Sequence, residues 1–145
     1  MTEVVVTRMI AASPATVFSF FADIERWTSW QGVEGEIELR PGGVFRVRMP
    51  GAQVASGRVI EVVPEQRLVF TWGWEGEASP VPPGSTTVVI ELEPDGAGTL
   101  LRLTHTELAP PPVAEHHRNG WERYLERLGV RAQGATPGPT HPRWK

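Results

Sequence analysis

Two histidines and a set of tryptophans are the residues of this chain with chemistry to offer beyond packing. His105 stands in "LTHTEL", residues 103–108, and His116 and His117 open "HHRNGWERYLERL", residues 116–128. A neutral imidazole donates at one nitrogen and accepts at the other, and it titrates near neutral pH. Two such rings facing one apolar space could orient a ligand carbonyl, hydroxyl or carboxylate, or pass a proton. The plainer alternative is a pair of buried histidines satisfied by backbone or neighbouring side chains. Adjacent helical residues point about 100° apart. His116 and His117 therefore cannot face one ion, and His116 is expected in solvent. No carboxylate stands at a ligand spacing, so neither a metal nor a cofactor is expected.

Six tryptophans are many for 145 residues. Trp72 and Trp74 alternate along one run, and Trp121 and Tyr124 follow His117 at helical spacing. Aromatic walls suit a flat apolar ligand, although ordinary core filling uses the same residues. The expected ligand-binding set is Trp72, Trp74, His105, His117, Trp121 and Tyr124, backed by Phe45, Leu101, Leu103 and Trp30. Trp27 and Trp30 are placed at the mouth. Ser56, Thr71 and Thr104 have no base at a fixed spacing, so no catalytic residue is assigned. Glu34, Glu36 and Glu38 read as a solvated strand face, while Arg58 or Glu61 could point into the cavity.

Placing these side chains needs a particular order of elements. "EVVVTRMI", residues 3–10, reads as a strand. Ser13 is a helix N-cap with Pro14 in the first turn, and Val17, Phe20 and Phe21 form an apolar stripe. Asp23 caps a second short helix or turn through Trp27 and Trp30. From 33 to 106 the period changes to two. "VEGEIELR" sets Val33, Ile37 and Leu39 against the glutamates, "VFRVRM" groups Phe45, Val47 and Met49, and "RLVFTWGW" groups Leu68, Phe70, Trp72 and Trp74. "VASGRVIEVV" is apolar on both faces. The Asp-Gly in "PDGAG" signals a tight hairpin between two further strands, the second placing Leu101, Leu103 and His105 on one face.

Three prolines at 110–112 stop that strand and preset a helix start. Val113, His117, Trp121, Tyr124, Leu125 and Leu128 then recur at spacings of three and four. Gly120 sits beside this stripe at a cost of about 1 kcal/mol relative to Ala, which a close backbone or a bulky neighbour could offset. Tight turns make the sheet antiparallel, and its apolar face needs a cover. The fold class is α+β, a curved antiparallel sheet of about six to seven strands around a long C-terminal helix, with two short helices after the first strand. Residues 1–131 form one domain. Residues 132–145, rich in Gly and Pro, read as a flexible tail that only Trp144 could anchor.

The bulk numbers bound the rest. Net charge is −3 with both signs scattered, which argues against nucleic-acid and anionic-membrane partners. Cysteine is absent, which removes thiol chemistry. Glu3 stands where a signal peptide would be basic, and no stretch approaches the ~20 apolar residues of a membrane span. A soluble, cytoplasmic protein is expected, as a monomer or homodimer.

"ASPATVFSFFADIERWTSW", "GRVIEVVPEQRLVFTWGW", "GTLLRLTHTEL" and "HHRNGWERYLERL" together resemble the START/Bet v 1-like helix-grip superfamily. More narrowly, they resemble small bacterial proteins related to the C-terminal domain of the activator of Hsp90 ATPase (Aha1-type). The likeness covers about residues 3–130. It implies a sheet gripping the C-terminal helix over a cavity that often takes apolar ligands, and it implies no shared catalytic motif. Three functions follow as expectations: binding of a small hydrophobic molecule, a chaperone-interacting module, or a cyclase/dehydratase-type enzyme with His105 and His117 as its acid/base pair.

Overall fold

A computed structural model describes residues 2–76, 79–108, 111–133 and 135. The expected tail beyond 135, with Trp144, lies outside the described residues, as do Ala109 and Pro110. The elements are β1 (Thr2–Ile10), α1 (Pro14–Ala22), α2 (Ile24–Trp27), β2 (Glu34–Ile37), β3 (Val44–Arg48), β4 (Val54–Val63), β5 (Arg67–Trp74), β6 (Thr86–Asp95), β7 (Gly98–Leu108) and α3 (Pro111–Ala132).

All seven strands form one antiparallel sheet in the order β1-β7-β6-β5-β4-β3-β2. Consecutive strands from β2 to β7 are neighbours, joined by short connections except between β5 and β6, where residues 75–85 intervene. The first strand, β1, closes the far side against β7. The sheet is curved and α3 lies across its inner face, so the helix-grip architecture holds.

The local signals work as their chemistry requires. The Ser13 side chain accepts from the Thr16 amide at 3.2 Å, and Asp23 accepts from the Glu25 amide at 2.9 Å. In the β6–β7 hairpin, Asp95 pairs with Gly98, so Gly96 and Ala97 are the two loop residues. Gly96 has φ +60°, the left-handed conformation such turns demand.

The strand expected over 33–40 is only four residues long. Gly32 takes φ +81°, and the chain enters β2 at the sheet edge with Val33 50% exposed. Leu39 lies past the end of that strand. The two-faced run in β4 has its cause in an irregularity between Val59 and Glu61. Beyond it, Ile60 faces solvent and Val62 and Val63 are half-buried. Arg58 and Glu61 are exposed as well, and Glu61 pairs with Arg67 at 2.7 Å instead of entering the interior.

The space between sheet and helix is filled over most of its length. Phe21, Trp27, Trp30, Phe45 and Phe70 form a continuous aromatic cluster with ring centroids 4.7–5.7 Å apart. Trp27 and Trp30 stack and are fully buried, so they are core and not a mouth. The short helices α1 and α2 press them inward. Their N–H groups are spent locally, Trp27 on Gln31 Oε1 at 2.9 Å and Trp30 on the Phe20 carbonyl at 3.1 Å.

Candidate ligand cleft between β5 and α3

The open space lies at one end of the sheet. Trp72 and Trp74 stand at the C-terminal end of β5, and two residues apart on a strand means one shared face. Val113, His117, Trp121 and Tyr124 follow one another along α3 at about one turn each. Met49 closes the floor from the end of β3, and Ser79 to Val81 form a third wall. The cleft measures about 690 Å³. It opens to solvent where His116, Arg123, Pro50 and Gln53 are exposed.

Backbone geometry holds the third wall in place. The Trp74 amide donates to the Val81 carbonyl at 2.6 Å. The returning chain lies so close on β5 that a Cβ added at Gly73 would overlap the Pro82 carbonyl. Only glycine permits this approach. At Gly120 the case is the opposite: a Cβ there would meet nothing within 4 Å. Its missing side chain leaves width in the cleft, and no close backbone explains it.

The two histidines are neighbours, with ring centroids 5.3 Å apart at 89°. Their hydrogen bonds determine their tautomers. An indole N–H only donates, so the imidazole nitrogen facing it must be the bare one. Trp74 Nε1 donates to His117 Nε2 at 3.0 Å, which leaves His117 Nδ1–H to donate to the Val113 carbonyl at 2.8 Å. Trp121 Nε1 donates to His105 Nδ1 at 3.0 Å, so His105 Nε2–H donates to Thr86 Oγ1 at 2.8 Å. The Thr86 hydroxyl passes its proton on to the Trp72 carbonyl at 2.7 Å. Both rings are neutral and both of their nitrogens are engaged.

Electrostatics agree with that assignment. Burial, followed by the nearby His117 ring, pushes His105 down to about 3. Burial also lowers His117; the Val113 carbonyl opposes this and His116 adds to it. At the rim, Arg46 holds Glu75 with two hydrogen bonds of 2.9 and 3.1 Å, which keep that carboxyl below its usual range.

Of the residues expected to line a cavity, Trp72, Trp74, His117, Trp121 and Tyr124 do so. His105, Phe45, Leu101, Leu103 and Trp30 do not: each is fully buried behind the wall, because the aromatic cluster and Leu125 and Leu128 of α3 occupy the central space. Sequence reading missed Gln31, Met49 and Gly120 as wall residues; His116 is exposed, as expected, and stands at the rim. Gly120 carried a usable signal, since its helix cost called for either a close backbone or room beside it, and the structure leaves room. Gln31 follows α2 in a turn and carried none. Among the described residues, no group of three or more His, Cys, Asp or Glu gathers to hold a metal ion, and no helix is long and apolar enough to cross a membrane.

Comparison with known proteins places the chain. No curated protein matches it in sequence. The solution structure of an AHSA1-like protein from Rhizobium etli is 44% identical, with a TM-score of 0.70 over 95% of this chain and 87% of that one. CalU16 from Micromonospora echinospora is 29% identical, with a TM-score of 0.71 over 91% of this chain and 76% of that one. The Aha1 dimer from Colwellia psychrerythraea shares the fold at 18% identity, with a TM-score of 0.79 over 92% of this chain and 98% of that one. The sequence profile of the family described as "Activator of Hsp90 ATPase homolog 1-like protein" matches residues 11–133, and the chain belongs to that family.

Proposed function

We propose that the protein binds a small, flat, apolar or aromatic molecule in the cleft between β5 and α3. One observation carries this reading: Trp72, Trp74, Trp121 and Tyr124 converge on a single open cleft of about 690 Å³. That volume falls within the usual range for small-molecule sites, roughly 300–1,000 Å³. The half-buried rings of Trp74 and Tyr124 gain by burying against a ligand, while Trp72 and Trp121, almost fully buried already, back the wall. The gap at Gly120 adds support, because the helix accepts a propensity cost there and the only visible return is room.

The same geometry speaks against an acid/base role for the histidines. A general base needs a free nitrogen within reach of the substrate, and all four ring nitrogens are already engaged. Both rings instead act as positioning residues that hold Trp74 and Trp121 in the wall. A chaperone-contacting role has no comparable structural feature behind it.

Native mass spectrometry and tryptophan fluorescence against a library of aromatic ligands test the proposal. Quenching that saturates at a one-to-one ratio is the expected outcome. Failure of every ligand class to bind would overturn the reading.

A further inference from the structure

Among the described residues, two N–H donors at the cleft have no acceptor. Trp72 is 2% exposed and Gln31 is 1% exposed, and both line the cleft. Trp72 Nε1 and Gln31 Nε2 are nonetheless without a hydrogen-bond partner among the described residues. Trp27, Trp30, Trp74 and Trp121 each donate to a protein acceptor. The exception is the indole in the middle of the cleft's aromatic wall. It packs against Phe45, Trp74 and Trp121 with centroids 5.0–5.7 Å away.

The orientation of the Gln31 amide follows from chemistry. Trp27 Nε1–H needs an acceptor, and only Oε1 can serve. The NH₂ group is therefore the free end. A buried donor without an acceptor forfeits its hydrogen bond to water and receives nothing in exchange. Such groups are uncommon in folded proteins, and each calls for an explanation.

Both groups only donate, so their complement is an acceptor atom. Among the described residues, no buried Lys or Arg lines the cleft with them, and Arg123 is exposed at the rim. A carboxylate taken this deep would lose its hydration without a charge partner, whereas a neutral carbonyl needs only the two donors. Building on the cleft-binding reading above, we infer that the occupant is a flat aromatic molecule bearing a carbonyl oxygen, a ketone or quinone type. That oxygen takes a hydrogen bond from Trp72 Nε1–H, with Gln31 Nε2–H as second donor. Both donor atoms are buried although their residues line the cleft, so the indole and the amide must turn toward the entering oxygen.

A matched pair of probes tests this. 9-Fluorenone and fluorene share one ring skeleton and differ in the carbonyl, and fluorene-9-carboxylate supplies the anionic arm. Titrations on the full chain are expected to show fluorenone binding about tenfold tighter than fluorene. The ¹H–¹⁵N signal of the Trp72 indole should move downfield with fluorenone only. Trp72→Phe keeps the aromatic wall and should bring the two affinities close to parity. Equal affinities in the unsubstituted protein, or an unmoved Trp72 signal, would overturn the carbonyl inference and leave cleft binding standing. Preference for the carboxylate would overturn the choice of a neutral ligand. If none of the three probes binds, both this inference and the cleft reading fall for flat tricyclic ligands.

Discussion

Trp74 gives its indole proton to His117 Nε2 at 3.0 Å, a bond from the end of β5 to the first half of α3 across one edge of the cleft. Trp121 and His105 make the reciprocal bond deeper in, with the indole on the helix and the imidazole on the sheet. Two Trp–His bonds running in opposite directions thus tie the long helix to the sheet and set the aromatic wall.

The two bonds should differ in worth. His105 is fully buried, and His105→Ala would leave a void and strand both Trp121 Nε1–H and the Thr86 hydroxyl's partner site. A loss of about 3 kcal/mol is expected. Trp74 is only half-buried, so His117→Ala lets its N–H turn to water and should cost about 1 kcal/mol. Urea denaturation of both variants gives the comparison, and the order matters more than either value.

Acid should weaken the fold before the carboxylates titrate. The folded His105 titrates at about 3 and the unfolded one near 6.5, so below 6.5 the unfolded chain binds a proton that the folded chain refuses. Stability contributed by the neutral ring is complete above 6.5 and declines as pH falls, by about 1.4 kcal/mol per pH unit for His105. His117 is lowered too and acts in the same direction. Urea midpoints measured from about pH 7 to about pH 5 should fall steadily, with a shallower slope in His105→Gln. A flat profile would mean that the rings are not held neutral.

Gly120 separates room from stability. Gly120→Ala meets no neighbour and should raise stability by about 0.5–1 kcal/mol through helix propensity. Gly120→Leu should fold equally well but occupy the cleft, abolishing probe binding. Thermal melts and a fluorescence titration on the same samples distinguish the two effects.

Gly73 should be intolerant. Its added Cβ would collide with backbone at Pro82, which cannot yield as a side chain tip can. Gly73→Ala is expected to cost about 2 kcal/mol and to detach the wall formed by Ser79 to Val81. Faster proteolysis within residues 75–85 would report that detachment.

Much of this architecture was readable from local pattern. Ser13 and Asp23 cap helices because their side chains reach backbone amides two or three residues on, and that depends on nothing distant. Alternation along 44–49 and 68–74 and the three-four spacing from 113 to 128 named the inner faces correctly, since burial follows backbone period. That His105 and His117 both turn inward was likewise implicit in their places in those patterns. The extent of β2 and the irregularity at Val59–Glu61 were not, because strand ends and register shifts are decided by the partner strand.

Sequence alone therefore determined which side chains face inward, and with that the fold class and family resemblance. Only the tertiary structure decided which inward residues meet each other and which meet open space. Phe45, Leu101 and Leu103 share the inward alternation of Trp72, yet they are sealed in the core whereas Trp72 borders the cleft. Periodicity records the side of an element that is apolar. Where two curved surfaces part is set by the volumes of all the side chains between them, and no local segment contains that sum.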